Sequence, residues 1–167
     1  MTTNNLVIFD FNNESDLGSW IVVNDSVMGG YSHSKVVINQ EGHAQFKGHV
    51  SLKNNGGFSS VRYRFSTLNA SSFTHAEIRL KGDGKRYQFR VRSSPRERQF
   101  YMKEFETSGE WQTLEIELSQ LVPIFRGRRL NMPNYDASNM TEVSFLIANK
   151  KDESFELEID HILLVKK

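Results

Sequence analysis

Apolar and polar residues along this chain alternate with period two. In "SSVRYRF" (59–65), Val61, Tyr63 and Phe65 alternate with Arg62 and Arg64, and in "AEIRLKG" (76–82), Ala76, Ile78 and Leu80 alternate with Glu77, Arg79 and Lys81. "RYQFRVR" (86–92) repeats the pattern with Tyr87, Phe89 and Val91 against Gln88, Arg90 and Arg92. "TLEIEL" (113–118) and "SFELEID" (154–160) place Glu115, Glu117, Glu156, Glu158 and Asp160 on the polar side. Successive side chains of a strand point to opposite faces, so each segment predicts a strand with one face in a core and the other in solvent.

Turn residues separate these segments. "NQEG" (39–42) predicts a hairpin in which Asn39 pairs with His43. That register sets Val36 opposite Phe46 and Ile38 opposite Ala44 on the core face, and His33 opposite His49 on the solvent face. "GDGK" (82–85) predicts a second tight hairpin, with glycines where positive φ is needed. No long amphipathic helix, internal repeat or low-complexity linker is evident. About ten short strands with Gly and Asn turns predict an all-β fold, an antiparallel β-sandwich of the jelly-roll kind. The longest irregular stretch, "VPIFRGRRLNMPNYDASNM" (122–140), is a candidate functional loop.

The 167 residues predict one domain with a core that needs no covalent staple. There are no cysteines, which excludes disulfides, thiolate catalysis and sulfur-ligated metals. The start "MTTNNLVIFDFNN" resembles neither a signal peptide nor a transit peptide, and no apolar run is long enough to span a bilayer. A cytoplasmic location with no transmembrane segment is expected. The net charge of +1 conceals a basic centre: residues 79–103 carry 9 Lys/Arg against 2 Asp/Glu, whereas residues 104–167 carry 7 against 12. Such patches on a nearly neutral chain do not predict nucleic-acid binding.

Several segments together resemble one family, the complex I intermediate-associated protein 30 family. They are Trp20 followed by "NDSVMGGYS", then "FKGHVSLKNNGGFSSVR", "KGDGKRYQFRVR", "FRGRR" and the closing "FELEIDHI". The resemblance implies a galactose-binding-like β-sandwich and, by the family's mitochondrial members, a non-catalytic assembly factor for NADH:ubiquinone oxidoreductase. A chain that is little more than the bare domain looks like a bacterial stand-alone relative.

The stretch "NDSVMGGYS" (24–32) places the bulky Val27 and Met28 in a turn, directly before Gly29 and Gly30. Two readings stand together. The bulk anchors the loop at one end of the sandwich, and a polar rim with Trp20, Asn24 and Asp25 faces a partner or ligand. Arg62, Arg64, Arg79, Arg90 and Arg92 fall on the polar sides of strands. If those strands share a sheet, they make a many-donor surface for carboxylate or phosphate; otherwise they are a solvated face with interleaved Glu. In the long loop, Phe125, Arg126, Gly127 and Arg128 form a bend suited to an anionic group or an acidic protein surface, with Arg126 and Arg128 foremost.

Metal and catalytic readings find little. His33 and His49 face each other without a third ligand. Asp160, near the end of the last strand, is a lone carboxylate for a structural calcium. Glu115 with Glu117, or Glu156 with Glu158, reads as a polar strand face rather than a glycosidase pair. No nucleophile elbow, phosphate loop or dinucleotide fingerprint occurs. The expectation is a non-enzymatic protein-interaction module without cofactor or metal, binding respiratory complex subunits or assembly intermediates. The alternative is a carbohydrate- or small-anion-binding module, for which Trp20, Trp111, Tyr31 and Tyr135 are the available rings.

Overall fold

The computed structural model of the protein describes residues 5–25 and 29–167. Among the described residues there are thirteen strands. They are β1 (Asn5–Asp10), β2 (Trp20–Asn24), β3 (His33–Ile38), β4 (Ala44–Val50), β5 (Ser59–Leu68), β6 (His75–Lys81), β7 (Arg86–Arg92), β8 (Phe100–Glu106), β9 (Trp111–Glu117), β10 (Val122–Phe125), β11 (Arg128–Arg129), β12 (Met140–Ile147) and β13 (Glu153–Val165). They form two antiparallel sheets. One runs β3-β4-β13-β6-β9, with β1 also on β13, and the other runs β11-β10-β8-β7-β12-β5-β2. No helix among the described residues is long and apolar enough to cross a membrane.

The alternation explains the layers. Ala76, Ile78 and Leu80 of β6 and Leu157 and Ile159 of β13 point inward from the six-stranded sheet. They meet Tyr87, Phe89 and Val91 of β7 and Val61 of β5 from the seven-stranded sheet, and all are essentially closed to solvent. Each buried Val, Leu, Ile or Phe among them contributes roughly 1.5–3 kcal/mol of transfer free energy. The last strand is long enough to pair with β4 through residues 153–159 and with β1 through residues 161–165, while β6 runs along its other edge.

The β3–β4 hairpin has the expected register: Val36 lies opposite Phe46, Ile38 opposite Ala44 and His33 opposite His49. The "GDGK" turn differs from expectation. It does not close a hairpin, because β6 belongs to one sheet and β7 to the other. Asp83 ties this arch down by accepting the Tyr87 hydroxyl and the Glu156 amide, each at 2.9 Å. Two glycines around an Asp suit an inter-sheet arch as well as a hairpin, and only the pairing partners distinguish them.

The stretch 122–140 is also more ordered than expected. Its first part is the β10–β11 hairpin, turned by Arg126 (φ 50°) and Gly127 (φ 76°), and residues 130–139 remain irregular. Strand β12 shows no alternation because all eight of its residues are buried. Val143, Phe145 and Ile147 enter the core, while Glu142, Ser144 and Leu146 lie on the outer face under neighbouring side chains. Asp160 lies within β13 rather than near its end, since that strand continues to Val165.

Candidate functional site

Asp25, at the end of β2, is fully buried. Its carboxylate accepts the Ser32 amide at 2.9 Å and the Phe58 amide at 3.2 Å, together with the Ser32 hydroxyl and the Gly57 amide. Burial pushes this carboxyl up, but the bonds from the Ser32 hydroxyl and the Gly57, Ser32 and Phe58 amides outweigh it and hold the group below its usual value. Gly30 and Gly56 close against it: a Cβ on either would lie 2.4 or 2.5 Å from a carboxylate oxygen. Asn24 accepts the hydroxyls of Ser34 and Ser59, linking β2 to strands of both sheets. Trp20 stacks on Tyr63 with ring centroids 4.9 Å apart and packs edge-on to Phe9.

Trp20 and Asp25 are therefore buried and Asn24 is occupied inside the fold, so they are not presented to a partner as the sequence reading expects. The carboxylate is consumed by the amides of two loops that meet only in three dimensions. Gly29 is exposed and its carbonyl accepts the Asn54 amide group at 3.3 Å. Val27 and Met28 lie outside the described residues.

The arginines do come together. Arg62 and Arg90 lie on either side of Ser144, and Arg64 and Arg92 on either side of Glu142, so β5, β12 and β7 present four guanidiniums on the outer face of the seven-stranded sheet. Arg79 is on the other sheet, where it covers the Trp111 ring at 4.4 Å. Phe100, on β8, underlies the group, with Arg92 4.0 Å, Arg62 5.0 Å and Arg90 5.4 Å from its ring centroid. Arg90 donates from both Nε (2.9 Å) and Nη2 (2.7 Å) to Gln88. Glu142, 1% exposed, is the buried counter-charge: Oε1 accepts Arg64 Nε at 2.8 Å, and Oε2 has no partner among the described residues.

Four cations around one carboxylate strain the electrostatics. Burial lowers the Arg62 guanidinium from its ordinary value; Glu142 opposes the shift, and Arg92 and Arg64 reinforce it. Burial and then the charge of Arg62 bring Arg90 down to about 10. At about 10, Arg90 remains charged at neutral pH.

The "FRGRR" hairpin lies on the edge of this same sheet. Phe125 pairs with Arg128 and Ile124 with Arg129. Ile124 is opposite Phe100, so Arg129 shares the arginine face whereas Arg128 points to the opposite side. Arg126 covers the Phe125 ring at 5.2 Å from the turn, beside the exposed Gly127. Phe100, Glu142 and Arg129 are thus the residues that sequence reasoning missed. Alternation through "QFYMKEFE" puts Phe100 on a polar face, which was the available signal; Glu142 lies inside an apolar run that gives none.

Elsewhere, His33 and His49 stack with ring centroids 6.2 Å apart. Asp160 is neighboured by His161 (3.4 Å), His43 (3.6 Å) and Arg79 (3.7 Å). Among the described residues no group of three or more His, Asp or Glu has a geometry that could hold a metal ion. The four rings available to a sugar do not assemble. Trp20 and Tyr135 are buried, Tyr31 is exposed, and Trp111 belongs to the six-stranded sheet.

The fold and face define a galactose-binding-like jelly roll carrying a preorganised cationic surface. Residues 9–159 match the family Complex I intermediate-associated protein 30 (CIA30), and the chain belongs to that family. It is 24% identical over 93% of its length to the mitochondrial Complex I intermediate-associated protein 30 of Mus musculus, and it spans about half, 55%, of that relative. Among solved structures it resembles a family 11 carbohydrate-binding module from Clostridium thermocellum in complex with a β-1,3-1,4-mixed-linked tetrasaccharide. The TM-score is 0.75 at 17% identity, covering 99% of this chain and 98% of that one. The family 11 module of a cellulosomal cellulase from the same organism is similar at TM-score 0.74 and 16% identity, covering 100% and 97%.

Proposed function

We propose that this protein is a non-enzymatic binding module that engages protein subunits during assembly of NADH:ubiquinone oxidoreductase. Family membership supports the process, and one observation supports the mode: the guanidiniums of Arg62, Arg90 and Arg92 are held in place yet have no carboxylate within ion-pair distance among the described residues. Such donors suit an acidic protein surface. The carbohydrate alternative has the fold in its favour, but the ring at the centre of the face, Phe100, is roofed by three guanidiniums and offers no open platform. The test is deletion of the gene in its own cell, followed by measurement of assembled NADH:ubiquinone oxidoreductase on native gels. A loss restored by the wild-type chain is expected. Unchanged complex levels would refute the assembly role.

A further inference from the structure

Resting on that partner-binding reading, we propose that the segment bound is acidic and extended. It lies across the strands of the seven-stranded sheet, with carboxylates on Arg62, Arg90 and Arg92 and its far end at Arg129. Among the described residues, only Arg64 of the four clustered arginines is in ion-pair contact with a carboxylate, Glu142, and Glu104, farther along the same face, pairs with Arg86 at 3.5 Å. Arg62, Arg90 and Arg92 therefore share the single charge of Glu142 without an ion-pair contact of their own among the described residues, in a setting where burial and mutual repulsion already lower Arg62 and Arg90. An anion that approaches from solvent relieves that repulsion.

The side chains are also set in advance. Gln88 Oε1 holds Arg90 by accepting from two of its guanidinium nitrogens, Phe100 supports Arg92, and the buried Glu142 anchors Arg64. A ligand then meets ordered donors and spends little of its binding free energy on ordering them.

Shape favours a chain over a compact anion. The row Arg64, Glu142, Arg92, Phe100, Ile124, Arg129 crosses six strands, about 24 Å at roughly 4.8 Å per strand. No phosphate or single carboxylate spans that distance, whereas about seven extended residues do at roughly 3.3 Å each. Between the two cationic ends lie Met102 and Val122, partly buried apolar residues that would receive the segment's apolar side chains.

A fluorescein-labelled octa-glutamate peptide, with octa-glutamine as control, tests this by fluorescence anisotropy. The acidic peptide should bind, weakening as salt is added because the contacts are charge pairs. An Arg62→Gln, Arg90→Gln variant should weaken it about tenfold or more, equivalent to roughly 1.4 kcal/mol. Arg126→Gln, Arg128→Gln should leave it within about twofold, since these arginines are off the face. Amide NMR of the wild-type protein needs no variant, and it should show peptide-induced shifts centred on Gln88, Ser144 and Phe100. Binding that is unchanged in the Arg62, Arg90 variant, shifts centred elsewhere, or displacement by inorganic pyrophosphate at equal total charge would overturn the proposal. Absence of peptide binding would overturn it too, while a loss of assembled complex on gene deletion would still uphold the assembly role.

Discussion

Asp25→Asn is the substitution that most sharply probes how the loops at the end of the sandwich are held. The carboxylate takes four hydrogen bonds, from the Ser32 amide and hydroxyl and the Gly57 and Phe58 amides, with no access to water. An asparagine has the same size but one acceptor oxygen, so its amide group would face donors. With hydrogen bonds to a charged group worth about 1.5–3 kcal/mol each, losing two costs roughly 3–6 kcal/mol. At about 2–4 °C per kcal/mol for a chain of this size, the midpoint should fall by about 6–24 °C in a calorimetric or circular dichroism melt. The pH dependence carries a sign as well. The folded carboxyl is held below its ordinary value, so its contribution is complete above that value and is lost as pH falls through the lower folded one. The gap between wild type and Asp25→Asn should stay constant from neutral pH down to about 4 and narrow below it. A shift under about 2 °C, which corresponds to less than 1 kcal/mol, would refute the idea that this carboxylate staples the two loops.

Other expectations follow the same contacts. Phe145→Ala, fully buried where β12 meets the core, should cost about 3–5 kcal/mol in urea unfolding. Gly56→Ala would put a methyl 2.8 Å from the Ser51 carbonyl and 2.5 Å from Asp25, so its stability in the same assay should fall by about 1–3 kcal/mol. Burial, followed by the charge of Asp83, holds the Tyr87 phenol well above its ordinary value. The resulting stability is present below about pH 10 and lost above it, so wild-type stability should decline more steeply than that of Tyr87→Phe in alkaline melts. Glu142→Gln removes the one carboxylate among the four arginines and should destabilise the protein by about 1–3 kcal/mol in low salt, an effect that shrinks as salt screens the cluster.

Much of the sandwich is legible in the sequence, and particular residues show why. Tyr87, Phe89 and Val91 alternate because one face of β7 is in the core and the other near solvent, and the β3–β4 register follows from the lengths of the strand and turn. Strand β12 is illegible by the same logic, since burial on both faces erases the period. The "GDGK" arch is not legible as an arch, because local turn chemistry carries no information about which sheet the next strand joins. For the site, the sequence shows which arginines are off the core but not which are neighbours. Arg62 and Arg90 meet across Ser144, residues far from both in the chain. Asp25 is the converse case, an acid that looks like rim and is interior.

The most direct measurement is co-purification of the tagged chain from its own cells. Wild type should be compared with an Arg62→Gln, Arg90→Gln variant and an Arg126→Gln, Arg128→Gln variant after circular dichroism shows that all are folded, with subunits of NADH:ubiquinone oxidoreductase quantified in each. Subunits recovered with wild type and with the hairpin variant, and lost with the Arg62, Arg90 variant, are the expected result. Equal recovery with all three, or no such subunit with wild type, would contradict a role for the arginine face in binding an assembly partner.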